Sequence, residues 1–365
     1  MAKTVRTSLS LCGVNLSNPL VLAAGPHGRD SKTLERAVRA GFGAVTTKTI
    51  RLNAAQNSFP NIARIGRDTL INAEKWSDLP LQTWVTKEIP AVKRLGVPII
   101  ASIGFTEKEA ERIAPLIEEA GADFIETVTY DADQVLPMVK ATKSAVKIPV
   151  VAKVSANWPN LIRIAVKAEK LGADAISAID SAGPVLAIDV ETGKPYLGNA
   201  NGEGWLSGSA IHPLAVKCVA DIAEQVKIPV IGIGGISSGQ DVVEMMMAGA
   251  DCVELCTTPI LHGLKIIDRI ENELVEFMEL KGYKSIQELR GVALKHLQKQ
   301  MKESKKRLHP QIDREACSLC GLCVNLCPYQ ALALSDEKVV SYERKCLSCG
   351  LCYSVCPQHA IKLRS

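Results

Sequence analysis

Eight of the twelve cysteines in this 365-residue chain fall between positions 317 and 356, in two copies of one spacing. The first reads Cys317-x-x-Cys320-x-x-Cys323-x-x-x-Cys327-Pro328, the second Cys346-x-x-Cys349-x-x-Cys352-x-x-x-Cys356-Pro357. Three thiolates on one tight loop cap three irons of a cubane, and the fourth ligand, before a proline, serves the cubane of the other copy. The spacing therefore predicts two [4Fe–4S] clusters. Cys317, Cys320, Cys323 and Cys356 are expected to hold one, and Cys346, Cys349, Cys352 and Cys327 the other. Gly321 and Gly350 let the backbone pass close to the sulfurs. Zinc also binds CxxC pairs, but a zinc site needs four ligands and gives no reason for a repeated CxxCxxCxxxCP. Disulfides belong to small secreted chains. The opening MAKTVRTSLSL has no apolar core or cleavage site of a signal peptide, so the chain is expected in the cytoplasm.

Residues 18–282 repeat a different theme, in which a short apolar run ends at a turn and an amphipathic helical pattern follows. The runs are 18–25, 44–50, 98–104, 122–130, 148–155, 173–181, 228–235 and 252–258. Helical patterns such as 107–121 and 160–172 lie between them. Three joints read Gly-Ala-Asp (121–123, 172–174 and 249–251), with glycine suited to the helix end and aspartate opening the next strand. Continuous apolar strands alternating with helices mean a parallel sheet. Eight units in about 250 residues predict a (β/α)8 TIM barrel, with an open doubly wound sheet as the alternative. The expected organisation is a barrel over 1–285, a basic helical linker over 286–312, and a bacterial-ferredoxin-like domain over 313–365. An apolar fraction of 47% suits a sizeable core, and a net charge of +4 is too small to imply nucleic acid. No apolar run reaches the ~20 residues that span a bilayer.

Two long connections, 51–82 and 182–211, follow strand ends and so belong to the face where barrels carry their active sites; they are expected to be lids or substrate walls. The stretch 286–309 is rich in Arg290, Lys295, Lys299, Lys302, Lys305, Lys306 and Arg307. It reads as a solvated face, with docking of an acidic redox partner as the alternative.

Clusters carry one electron at a time, whereas most organic redox steps move two, and a flavin joins the two regimes. Gly234 and Gly235 end the seventh run and Cys256-Thr257 the eighth, where barrels commonly bind a phosphate. Another phosphate ligand would satisfy the same features.

Further segments carry a resemblance: NPLVLAAG, TTKT at 46–49, INAEKWS at 71–77, VVAKVSAN at 150–157, SGSAIHPLAV at 207–216, VIGIGGI at 230–236 and AGADCVEL at 248–255. Spread over the chain in this order, with the cysteine-rich tail, they resemble the FMN- and iron–sulfur-containing catalytic part of the dihydropyrimidine dehydrogenases, within the wider dihydroorotate dehydrogenase family. The resemblance implies FMN, with Ala24 and Gly25 under the ring, Lys48 and Thr49 at its polar edge, and Lys153 at its N1/O2 side. Gly208, Gly234, Gly235, Cys256 and Thr257 would cradle the ribityl phosphate. Asn72 and Glu74 match a segment that reads a pyrimidine-like ring. No GxGxxG fingerprint precedes the barrel, so an FAD/NADH-oxidising subunit or a ferredoxin is expected as partner, and a homodimer is compatible with the sequence.

The chain departs from the family in three places. The family's Asn-x-Ser-Cys-Pro loop, whose cysteine exchanges a proton with substrate, reads Val128-Thr129-Tyr130-Asp131-Ala132 here. Its Asn-Thr after the sixth strand has become Asp180-Ser181, and Trp76 is large where a smaller apolar residue is usual. These changes imply an altered small-molecule substrate. By register, Tyr130 and Asp131 are the candidate proton donors, with Tyr130 favoured as acid and Asp131 also suited to cap the helix that follows. The expected activity is flavin-dependent oxidation or reduction of a CH–CH or C=C bond beside a carbonyl or amide, with electrons carried through the clusters to a partner. The alternative is an electron-transfer subunit whose barrel has lost its own substrate chemistry.

Overall fold

The computed structural model describes residues 5–297, 307–335 and 337–364. The chain divides into two compact units, Met1–Lys295 and His296–Ser365.

Eight parallel strands close the first unit into a barrel: β1 (Leu20–Leu22), β2 (Ala44–Thr46), β3 (Ile99–Ile103), β4 (Phe124–Thr127), β5 (Val150–Val154), β6 (Ala175–Ala178), β7 (Val230–Ile233) and β8 (Cys252–Leu255). Each pairs with its neighbours in sequence, and β8 pairs with β1. All eight expected runs are thus strands of a TIM barrel, and every strand residue is buried. Burial on both faces explains why these strands read as continuous apolar runs.

The Gly-Ala-Asp joints show how local sequence builds the closure. Gly121, Gly172 and Gly249 have φ of 104, 99 and 116°, the left-handed backbone that ends a helix at little cost only in glycine. Each following aspartate then clasps the first residue of the preceding strand at two points. Asp174 donates its N–H to Val150 O (2.8 Å) and accepts the Val150 N–H on Oδ2 (2.8 Å). Asp123 does the same with Ile99, and Asp251 with Val230. Helix glutamates add further clasps: Glu118 accepts the Lys147 and Ile148 amides, and Glu169 those of Lys227 and Ile228.

The two long connections join into one antiparallel sheet in the order Ala182–Leu186, Glu203–Gly208, Thr69–Asn72, Ile62–Gly66. Trp205 pairs with Asn72 and Gly208 with Thr69.

The stretch expected as a linker over 286–312 is taken up at both ends. Ile286 and Leu289 are fully buried in the barrel core, and Gly291 donates its N–H to Met246 O. Arg290 pairs with Asp251 (3.1 Å) while its side chain stays partly exposed. At the other end His309–Ile312 is a strand of the second unit. The apolar side chains of 286–289 and the alternation of 309–312 account for the shift. Lys299, Lys302, Lys305 and Lys306 lie outside the described residues.

The second unit is an internal duplication. His309–Ile312 pairs with Ile361–Arg364, and Leu332–Ser335 with Lys338–Ser341. Strands, the helices Leu322–Asn325 and Leu351–Ser354, and the cysteines all recur 29 positions apart (317 to 346, 327 to 356). Positive φ angles recur in the same step, at Leu319 and Ser348, Gly321 and Gly350, and Gln330 and His359. Among the described residues no helix is long and apolar enough to cross a membrane.

Asp174→Ala should destabilise the barrel by about 1–3 kcal/mol, because it leaves the Val150 N–H without its acceptor. Urea unfolding monitored by tryptophan fluorescence measures this. Lys194→Ala, at an exposed position of a hairpin, should stay within about 0.5 kcal/mol of wild type.

Candidate active site

The C-terminal ends of the barrel strands open on a cavity of about 1090 Å³ including its mouth. Sixteen of the seventeen barrel residues expected in the site reach it. Ala24 and Gly25 enter after β1, Lys48 and Thr49 after β2, Tyr130 after β4, Asp180 and Ser181 after β6, Gly234 and Gly235 after β7, and Cys256 and Thr257 after β8. Lys153 reaches it from β5 itself, and Asn72, Glu74, Trp76 and Gly208 from the long connections. Asp131 is the exception. Its side chain accepts the Asp133 N–H (2.9 Å) and caps the helix Ala132–Ala145, so it does not line the cavity.

One end of the cavity is a glycine cradle drawn from two elements. Gly208, Gly234 and Gly235 have φ of 91, 130 and 71°. A Cβ on Gly235 would fall 2.6 Å from Gly208 O, and one on Gly208 would fall 2.1 Å from Asp68 O, so only glycine lets these backbones meet. Thr257 Oγ1 donates to Ser207 Oγ (2.8 Å) across the same corner. The buried His212 ring props the loop, with Nδ1 2.9 Å from Gly234 O and Nε2 3.1 Å from Glu244 Oε2. The N–H groups of Gly234 and Gly235 have no acceptor among the described residues. Unpaired amides in a glycine turn are what a phosphate oxygen requires, so the cradle fits the phosphate of FMN.

The floor is charged. Lys153, almost wholly buried, points its ammonium between Glu126 on β4 (3.5 Å) and Glu254 on β8 (4.0 Å). Burial alone would lower its pKa, but Glu126, Asp180 and Glu254 outweigh that and hold it well above the ordinary lysine range. A cation held there suits an electron-rich planar ring edge. Burial keeps the Cys256 thiol protonated, pushed up to about 12, so it acts as a small packing group beside Ala24 and Gly25.

The walls neutralise themselves. Lys48 Nζ is 2.6 Å from Glu74 Oε1, with side chains only 6% and 17% exposed. Asn72 Oδ1 accepts the Glu74 N–H (3.3 Å), which turns the amide oxygen back on its own loop. Thr49 bonds Ser102 (3.0 Å), and Asp180 accepts the Ser181 N–H (2.8 Å). Asn157 pins that corner through Ser181 O and the Gly183 N–H.

The roof is aromatic. Tyr130 stacks on Trp205 (5.1 Å, 7°) and meets Trp76 on its other side (4.9 Å, 31°). Phe105 packs on Trp76 (5.2 Å), and Arg51, paired with Glu109, covers both rings. Burial, then Asp180, pushes the Tyr130 phenol above its ordinary pKa.

In the second unit the eight cysteines separate into two cavities of about 350 and 370 Å³. Cys317, Cys320, Cys323 and Cys356 line one, and Cys327, Cys346, Cys349 and Cys352 the other. The grouping follows the crossed pattern, and four thiols round an enclosed space suit a cubane cluster.

The residues missed from sequence are Glu126, Glu254, Asn157, Phe105, Trp205 and His212. A lone glutamate inside each apolar run, FIET and CVEL, was the available signal for the first two. The others act through partners distant in sequence.

A closed barrel with a cation-floored cavity, joined to a 4Fe–4S ferredoxin-like domain, defines an oxidoreductase. The family model for dihydroorotate dehydrogenase matches residues 6–278, and a 4Fe-4S dicluster domain matches residues 310–363. The chain belongs to the dihydroorotate dehydrogenase family. Relatives described as "Dihydroorotate dehydrogenase B (NAD(+)), catalytic subunit" include that of Methanothermobacter thermautotrophicus, 35% identical over 78% of this chain and 97% of its own length. Those of Pyrococcus horikoshii and Methanocaldococcus jannaschii are 33% and 34% identical, over 79% and 78% of this chain and 97% of their own lengths.

The Lys48–Glu74 pair should behave as a coupled unit. In a double-mutant cycle with Lys48→Met and Glu74→Gln, read by urea unfolding, the coupling should be about 0.5–3 kcal/mol in favour of the pair. Strict additivity would mean that each charge is stabilised by something else.

Proposed function

We propose that this chain is the catalytic subunit of a flavin-dependent oxidoreductase acting on a CH–CH or C=C bond beside a carbonyl or amide, with FMN in the barrel and two [4Fe–4S] clusters in the C-terminal unit. The observation that carries this reading is the convergence, on one cavity, of the unpaired glycine amides at one end and the buried Lys153 ammonium on the floor. When bound, FMN would supply two-electron chemistry and the clusters one-electron transfer.

The chain's own residues bind, orient and move a proton. Gly234, Gly235, Gly208 and Thr257 would hold the phosphate, Ala24 and Gly25 leave room for a flat ring, and Lys153 holds positive charge at the ring's edge. Lys48 and Thr49 would contact its polar side. Tyr130 is the one titratable group on the fourth-strand loop that faces the cavity, so it is the proposed proton donor to the reacting carbon. Its raised pKa keeps it protonated throughout the neutral range, so it releases a proton only to a strongly basic carbon and recovers it readily.

Substrate-contacting residues would be Asn72, Glu74, Trp76, Asp180 and Ser181. Lys48 is already neutralised by Glu74, and Asp180 adds negative charge. A carboxylate substrate such as dihydroorotate, for which the relatives are named, finds no free buried cation beneath the aromatic roof. An uncharged, planar conjugated carbonyl compound fits better. In this the chain is closer to the dihydropyrimidine dehydrogenase type, whose substrates are uncharged. The relatives' description as catalytic subunits supports a separate electron partner, an FAD/NADH-oxidising subunit or a ferredoxin.

Anaerobically purified protein should contain about eight irons and one FMN per chain; zinc, or FAD in place of FMN, would overturn the assignment. With a substrate found by screening uncharged enones and cyclic amides, Tyr130→Phe should slow turnover by ~10²–10⁴-fold at unchanged flavin content. Asp131→Asn should leave turnover close to wild type. A protein that holds FMN but turns over nothing in the screen would favour the electron-transfer reading of the barrel.

A further inference from the structure

Three charged side chains meet in the barrel interior beneath the cavity: Glu126 on β4, Lys153 on β5 and Glu254 on β8. The ammonium lies 3.5 Å from Glu126 Oε1 and 4.0 Å from Glu254 Oε2. Both glutamate side chains are fully buried, and the lysine is 6% exposed. Three of the four carboxylate oxygens, Glu126 Oε2 and both of Glu254, have no hydrogen-bond donor among the described residues. With both carboxylates ionised, the cluster would carry a net negative charge where water cannot reach it and no N–H answers it, a state that burial strongly disfavours.

No other cation is placed to balance the pair. Of the groups that face Glu254, Asp180 after β6 adds negative charge, and Cys252 on β8 and Cys256 just after it are thiols kept protonated by burial. Strands β1, β2, β3 and β7 contribute no titratable side chain. Lys48, at the cavity wall, is taken by Glu74. The group that can restore neutrality is a proton.

We infer that Glu126 and Glu254 hold a single proton between them at neutral pH, so that one carboxylate and the Lys153 ammonium balance and the cluster is neutral. Glu254, with neither oxygen bonded, is the better proton holder; burial and Glu126 push its acid up to about 8. The two glutamates are then positioning residues that act through Lys153. Below that pH the floor is neutral overall, and its Lys153 ammonium can donate to an electron-rich ligand edge. Above it the proton leaves, the two carboxylates outweigh the ammonium, and the floor turns negative.

The test does not depend on what the cavity binds. Full-length protein labelled with ¹³C-carboxyl glutamate is compared with unlabelled protein by difference infrared spectroscopy across the neutral and mildly alkaline range. Exposed glutamates are ionised at neutral pH, so a protonated-carboxyl band there reports a buried proton. One such band is expected at neutral pH in the wild type, lost with a midpoint near 8. It should vanish in Glu254→Gln and equally in Glu126→Gln, because one carboxylate facing one ammonium needs no proton. Absence of the band in folded wild-type protein at neutral pH overturns the proposal, and needs no variant. A band that survives either substitution overturns the sharing. As a second readout, the affinity for added FMN should fall on going above pH 8 in the wild type, and Glu254→Gln should flatten that fall.

Discussion

Everything in the barrel rests on the clasp between an aspartate and the first residue of the strand before it. A parallel barrel must bring strands together that are separated by a helix, and apolar side chains alone do not select their register. The clasp does, because it uses both the N–H and the C=O of one residue and both the carboxylate and the N–H of the other. It recurs at three joints of the barrel, each time after a glycine in left-handed backbone, so the helix ends and the next strand begins in a fixed relation. Glu118 and Glu169 do related work at the joints between. With register fixed at the N-terminal ends, the side chains at the C-terminal ends project into one shared space, and that space is the site.

The cavity's chemistry then follows from how its charges are disposed. At the wall, Lys48 and Glu74 satisfy one another. At the floor, one ammonium faces two carboxylates, an imbalance inside a medium that does not tolerate it. The Lys153 ammonium and its two carboxylates lie beneath a roof of Tyr130 and Trp76 backed by Trp205 and Phe105. Such a roof supplies flat apolar contact with little conformational freedom to lose. The two long connections contribute Trp76 and Trp205 because they are zipped into one sheet; as independent loops they could not hold the stack around Tyr130.

The C-terminal unit solves a different problem with less core. Its buried cluster is small, with Cys323, Leu332, Val339 and Ile361 at its centre, and small domains of this kind are usually held by metal or disulfides. Duplication at a 29-residue step places one cysteine of each repeat, Cys327 or Cys356, in the cavity of the other. Each site is thereby built from both halves, which ties the fold of one repeat to that of its twin.

The sequence by itself determined the elements whose causes are local. The eight strands were legible because burial on both faces demands unbroken apolar runs, and the Gly-Ala-Asp joints because a left-handed turn demands glycine. The two cysteine groups were legible in the repeated spacing, and the two cavities collect the same sets. Tyr130 and Asp131 mark the limit of that reading. They are adjacent and both titratable, yet the helix-capping bond of Asp131 turns it outward and leaves Tyr130 facing the cavity. Only the tertiary structure decided the contacts made across long separations: Asn72 beside Trp205, Tyr130 between two tryptophans, Arg290 on Asp251, and Glu126, Lys153 and Glu254 facing one another across the barrel. A charged residue within an apolar run signals that a partner is needed. Which residue answers it depends on strand order and register around the closed sheet, and those exist only once the barrel has closed.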